Sequence, residues 1–151
     1  PQIMVMRTFS KVFGLAGIRA GVLVGDPEYI DYIHRIRNPF NVNHLAQVAV
    51  QAALKDEGYL KKAQKTNWEG LDYFYKELKK LNITFWRSEA NFVLFDTGND
   101  SEVMYQALLK MGVILRPVQA FGLKNHLRMS VGLNEENKKA IESIQKIWSQ
   151  K

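Results

Sequence analysis

The sequence predicts an α/β protein in two parts, and three observations carry that expectation. Short apolar runs such as Ile3-Met4-Val5-Met6 and Ala20-Gly21-Val22-Leu23-Val24-Gly25 have the length and composition of buried strands. Other segments place apolar residues at three- and four-residue intervals, the period of a helix with one buried face. The two kinds of segment alternate, and one long helical pattern near residues 59–81 stands between an earlier and a later group. A chain of 151 residues, 46% hydrophobic and 24% charged, can bury one core or two small ones.

Each element has a local cause. The link from Lys11 to Ile18 is shorter than the dozen or so residues a parallel crossover needs, so the first two strands should be antiparallel neighbours joined by a wrapped loop. Asp26-Pro27 pairs an N-cap acceptor with proline at the first helical position, starting a helix over 28–37 that should carry Ile30, Ile33 and Ile36 inward. Asn38-Pro39-Phe40-Asn41-Val42-Asn43 breaks that helix, and an alanine-rich one follows over 45–56. Glu57-Gly58 marks a boundary before the long helix of 59–80. Beyond Asn82, strands are expected at 83–86, 91–96, 113–116 and 126–131, with helices over 101–111 and 135–148. Val103, Leu108 and Met111 should form the apolar side of the first of these helices, Gly112 should end it, and Pro117 should close the strand 113–116. The later group reads as a small α/β sandwich whose sheet is covered on one face, the earlier group as a piece of a larger parallel sheet.

Charge and composition remove several function classes. The formal net charge is +6, and much of the excess lies in Lys61, Lys62, Lys65, Lys76, Lys79 and Lys80. These alternate with Trp68, Leu71, Phe74 and Leu78 at helical spacing, so they form a solvated helix face. Glu57, Glu69, Asp72 and Glu77 interrupt it, and no nucleic-acid reading motif accompanies it. The absence of cysteine excludes disulfides and thiolate metal sites and permits a cytoplasmic enzyme. His34, His44 and His126 lack ligand spacing, so no metal is expected. No apolar run approaches the roughly 18–20 residues of a membrane span. Gly14, Gly17 and Gly21 do not make the dinucleotide pattern G-x-G-x-x-G. Pro1-Gln2-Ile3-Met4 opens without a signal-peptide pattern and reads as the middle of something longer.

The chemistry concentrates in Arg7-Thr8-Phe9-Ser10-Lys11-Val12-Phe13-Gly14-Leu15-Ala16-Gly17-Ile18-Arg19. Hydroxyls at Thr8 and Ser10 flank the approach to Lys11, and small residues lead from it to Arg19. Strand alternation should put Thr8 and Ser10 on one side of the chain, with Lys11 leaving one strand and Arg19 opening the next. An amine beside hydroxyls and a guanidinium suits a carbonyl cofactor that carries a phosphate. The amine condenses with the carbonyl, while the hydroxyls and the arginine fork hold the dianion. A surface Lys and Arg on a glycine-containing loop are the plain alternative; the apolar Phe9, Val12, Phe13, Leu15 and Ile18 around them weigh against it. A second constellation lies in the later strands, where Arg116 and Arg128 stand among Ile114, Leu115, Leu127 and Val131. An arginine there needs an anion, whether a structural carboxylate or a ligand.

The whole Lys11 run resembles the cofactor-lysine motif of fold-type I pyridoxal-phosphate aminotransferases, and is most similar to the histidinol-phosphate aminotransferase branch. Asn125-His126-Leu127-Arg128-Met129-Ser130-Val131-Gly132 resembles that family's substrate-arginine segment, and Asn91 and Pro39-Phe40-Asn41-Val42-Asn43 match further family positions. The resemblance implies pyridoxal 5'-phosphate as cofactor, Lys11 as the lysine that bonds it, and Thr8, Ser10 and Arg19 as its phosphate contacts. It implies Arg128 as the substrate-anion residue, with Arg116 as helper and Asn91 nearby. It further implies transamination of a phosphorylated amino alcohol with glutamate and 2-oxoglutarate in histidine biosynthesis, by a cytoplasmic homodimer with no nucleic-acid or membrane partner. The expected organisation is the end of the cofactor-binding large domain over 1–58, a connecting helix over 59–81, and the small C-terminal domain over 82–151. The family's aspartate for the ring nitrogen, its stacking aromatic and its ring-hydroxyl asparagine have no counterparts here. The chain is therefore expected to be a C-terminal portion with little activity alone. A related aminotransferase, an amino-acid-phosphate decarboxylase of similar architecture and a non-catalytic module that keeps the fold are the alternatives.

Overall fold

A computed structural model describes residues 3–149. Packing divides the chain into two compact units, the division falling between Gln64 and Lys65 inside the longest helix.

In the first unit, β1 (Val5–Thr8) and β2 (Gly21–Val24) form an antiparallel pair in which Val5 faces Val24 and Thr8 faces Gly21. This is the hairpin that the short link required. The two strands pair only with each other, so the larger parallel sheet expected for this region is not formed by the described residues. Helix α1 (Pro27–Ile36) starts where Asp26-Pro27 placed it, the Asp26 carboxylate accepting the Glu28 N–H at 2.9 Å. Its inward face is a correction: none of its residues is buried, and Ile36 is 79% exposed. Helix α2 (His44–Lys55) follows, capped by Asn43. A small cluster of Phe9, Ala20 and Ala46, with Phe13, Leu15, Ile18, Val42 and Val50 against it, ties the loop after β1 to α2.

Helix α3 (Glu57–Lys80) begins two residues earlier than expected, because Asp56 accepts the Tyr59 N–H and caps it. The second unit holds four strands, β3 (Phe85–Trp86), β4 (Phe92–Asp96), β5 (Arg116–Pro117) and β6 (His126–Ser130), which form an antiparallel sheet in the order β3-β4-β6-β5. Helices α4 (Ser101–Lys110) and α5 (Asn134–Trp148) complete it. Phe74 and Leu78 of α3, Leu108 of α4 and Ile144 of α5 pack with Val93, Phe95, Leu127 and Met129 of the sheet in one buried core. Because successive strand residues point to opposite faces, Phe92, Leu94, His126 and Arg128 stand on the other face, only partly buried. The one-sided cover is as the sequence indicated.

Further details of the second unit depart from expectation. The strand at 113–116 shifts to Arg116–Pro117. Val113 and Leu115 do alternate inward, but only Arg116 and Pro117 pair with β6, and Pro117 belongs to the ladder instead of closing it. A proline is tolerated there because β5 is an edge strand. In α4, Met104 joins Leu108 in the core, whereas Val103 is 72% exposed.

Gly70 shows how tightly α3 sits on the end of β6. A Cβ at Gly70 would collide with Val131 Cγ1 and come within 3.1 Å of Asn137 Nδ2. Asn137 is itself fixed, its amide accepting from Gly132 N–H at 2.9 Å and donating to the Gly132 carbonyl at 3.1 Å. Glycine to alanine inside a helix ordinarily stabilises by about 0.5–1 kcal/mol. Gly70→Ala should reverse that sign and destabilise by about 1–3 kcal/mol through overpacking. Gly58→Ala, whose Cβ meets only an Asp56 carboxylate oxygen at 3.5 Å, should be neutral or slightly stabilising. Thermal unfolding of the two variants checks the contrast.

Candidate active site

The first group of candidate residues gathers at one end of the β1–β2 hairpin. Beyond the last ladder pair the chains stay together through Phe9 N–H donating to the Ala20 carbonyl at 3.1 Å, which brings Ser10 and Arg19 to the same end. Thr8 and Ser10 are not related by strand alternation as expected. The strand stops at Thr8, and Ser10 N–H donates to Thr8 Oγ1 at 3.0 Å, a side-chain-closed turn. Gly14 N–H returns to the Lys11 carbonyl at 2.8 Å and Leu15 N–H to the Phe9 carbonyl at 3.0 Å, so Lys11 heads a compact loop. A single 3-10 turn, Ala16–Ile18, then delivers the chain to Arg19.

Arg19 does not open a strand; it sits in the left-handed region at φ 57°, rare for a residue with a Cβ. Its Nη1 donates to the Ala16 carbonyl at 2.7 Å, leaving the rest of the fork available. Asn43 supports this turn, accepting the Ala46 N–H at 2.8 Å as the α2 cap and donating to the Ile18 carbonyl at 3.2 Å. In the sequence Asn43 stands only at the end of the segment that breaks α1, and its tie to Ile18 has no signal there. Phe9 is buried beneath the loop, while Lys11 and Arg19 are exposed on its rim. Among the described residues no carboxylate pairs with either cation.

The second group lies on the uncovered face of the four-stranded sheet. Arg116 and Arg128 are register partners on neighbouring strands, two like charges directly opposite each other. Neither pairs with a carboxylate among the described residues, which leaves the structural ion pair without support there. Arg128 Nε is buried and has no hydrogen-bond partner among those residues, and its guanidinium carbon lies 4.8 Å from the Phe92 ring centroid. A groove of about 550 Å³ opens beside the pair, between Gly112–Arg116, Arg128–Gly132 and the start of α5. Asn91 is exposed just before β4; its carbonyl accepts the Val131 N–H at 2.9 Å, and its side chain bonds to none of the described residues.

A family model described as aminotransferase class I and II matches residues 1–144. The chain belongs to the aminotransferase class I and II family. Histidinol-phosphate aminotransferases of Bdellovibrio bacteriovorus and Moorella thermoacetica are 46% and 43% identical to it, each over 97% of this chain. The chain spans 39% and 38% of the length of those curated relatives. Among solved aminotransferases, the histidinol-phosphate enzyme of Clostridium acetobutylicum superposes with a TM-score of 0.91 at 27% identity, over 98% of this chain and 46% of that one. The Sinorhizobium meliloti enzyme, solved in complex with pyridoxal-5'-phosphate, gives 0.88 at 25% identity, over 97% and 41%. The fold is thus the α/β fold of the corresponding portion of these aminotransferases.

The Lys11 loop depends on a glycine. Gly14 has φ +69°, and a Cβ there would stand 2.8 Å from the Tyr59 hydroxyl oxygen. Gly14→Ala should destabilise the first unit by about 1–2 kcal/mol from the left-handed backbone alone, and by more from the contact. Tyr59→Phe in that background should recover the contact part only. Gly17→Ala, with nothing within 4 Å of its Cβ, should change little. Thermal unfolding of the three variants separates the two contributions.

Proposed function

We propose that the chain is the C-terminal part of a pyridoxal-phosphate-dependent aminotransferase that moves an amino group between histidinol phosphate and 2-oxoglutarate. The observation that carries the reading is the hairpin end. An exposed amine, a serine hydroxyl and a strained arginine with no carboxylate partner among the described residues are held together there by backbone bonds, in a chain whose curated relatives are named for this reaction. The donor set fits the cofactor: a phosphate dianion is offered hydroxyls and guanidinium N–H groups with no competing carboxylate among the described residues. When bound, pyridoxal phosphate supplies an aldehyde that bonds amines and a ring that draws electrons from the substrate carbon.

Lys11 Nζ would be the amine that holds the cofactor, and in its free, neutral form the base that takes a proton from the substrate carbon. Thr8 and Ser10 donate their hydroxyls, and Arg19 its free N–H groups, to the phosphate. Arg128, with Arg116, binds the anionic end of either substrate, carboxylate or phosphate, through the planar fork. Asn91 is a further substrate contact in this reading. The reading also carries the domain assignment 1–58, 59–81 and 82–151, and a homodimer working in the cytoplasm; no described helix is long and apolar enough to cross a membrane.

Borohydride reduction of the full-length enzyme with pyridoxal phosphate, followed by peptide mass mapping, tests the assignment: the label should fall on Lys11, and a label on another lysine overturns it. Lys11→Ala should abolish transamination while retaining part of the cofactor affinity. Arg19→Lys should weaken cofactor binding more than it changes the Michaelis constants, because an ammonium cannot reproduce paired guanidinium bonds. Equilibrium titration of the cofactor and steady-state kinetics give both quantities.

A further inference from the structure

Arg128 is held in an unusual way for a strand arginine. Its register partner on β4 is Leu94, and Phe92 is the diagonal neighbour on the same face, opposite Ser130. Across the other ladder stands Arg116. The guanidinium carbon lies 4.8 Å from the Phe92 centroid, within the range of a cation–π contact, and Nε is enclosed without a partner among the described residues. No carboxylate of those residues fixes the group, and the neighbouring like charge pushes it away. The aromatic ring is therefore what sets where the guanidinium lies.

We propose that Phe92 is the positioning residue for Arg128, its ring bearing one face of the guanidinium so that the terminal N–H edge is presented ready for the substrate's anionic group. The inference rests on the reading of Arg128 as the substrate-anion residue. A flat aromatic surface restrains the guanidinium plane without consuming its hydrogen bonds, whereas a carboxylate would occupy the edge the substrate needs. With the ring gone, repulsion from Arg116 lets the side chain swing away, and each binding event must first bring it back. Phe92 acts through Arg128 and touches no reacting atom, so its loss should appear in binding and leave the chemical step alone.

The test uses the full-length enzyme and two readouts: steady-state kinetics, and calorimetric binding of maleate, a dicarboxylate that does not react. Phe92→Leu should raise the glutamate KM and the maleate Kd together, by about 3- to 30-fold, with kcat within about twofold. Phe92→Tyr, which keeps the ring face, should restore both. In an Arg128→Ala background, Phe92→Leu should add nothing further. If Phe92→Leu fails to fold by thermal melting, Phe92→Met, closer in volume and also ringless, takes its place with the same expectations. An equal loss with and without Arg128, a fall in kcat with unchanged KM, or no rescue by tyrosine overturns the positioning role. If Arg128→Ala alone binds maleate and turns over as the native enzyme does, it is the reading of Arg128 itself that fails.

Discussion

The second unit is organised around Arg128, which no carboxylate of the described residues neutralises. Antiparallel pairing and a one-sided helical cover leave a single choice for each residue of β6. Leu127 and Met129 enter the core with Val93 and Phe95, so His126, Arg128 and Ser130 must face the other way. The register then sets Arg116 opposite Arg128, a pairing that disfavours the sheet by a few tenths of a kcal/mol to about 1 kcal/mol. The Phe92 ring offsets a comparable amount. What it does not supply is a counter-charge, and an anion meeting two guanidinium groups on this face would convert the repulsion into binding energy.

The first unit solves a similar problem with backbone instead of side-chain packing. Thr8 Oγ1, the carbonyls of Lys11 and Phe9, and Asn43 each satisfy a main-chain or side-chain group in a loop too short for regular structure. The turn is closed at the expense of left-handed conformations at Gly14 and Arg19. Glycine adopts such a conformation freely; arginine does so at a cost, and strain of this kind concentrates where a side chain must be aimed. Both units thus hold cations by means that leave their hydrogen-bonding edges open. Open edges of this kind are what the proposed phosphate and substrate contacts would use.

Much of this was legible in the sequence, for identifiable reasons. The Lys11–Ile18 link was too short for a crossover, which forced the hairpin. Asp26-Pro27 announced its helix through local hydrogen bonding alone, and the later strands showed as short runs rich in apolar residues. The sequence misplaced features that depend on distant partners. Val113 and Leu115 have the inward alternation of a strand, yet pairing with β6 occurs only at Arg116 and Pro117, and an edge position makes the proline harmless. Val103 and Met104 both fit a helical stripe, and only the packing against α5 and the sheet selects Met104. The geometry around the candidate residues was not legible: register alone makes Arg116 and Arg128 neighbours, and the diagonal offset of β4 alone brings Phe92 under the guanidinium. Neither offset is written in either strand by itself.

In the proposed function, the counter-ion of Arg128 is the substrate. A crystal structure of the full-length enzyme with bound maleate tests it most directly. One maleate carboxylate should be forked by Arg128 at about 2.7–2.9 Å, with the guanidinium still lying on the Phe92 ring. An Asp or Glu side chain from elsewhere in the enzyme paired with Arg128, and the dicarboxylate bound away from it, would show that the substrate is not its counter-ion.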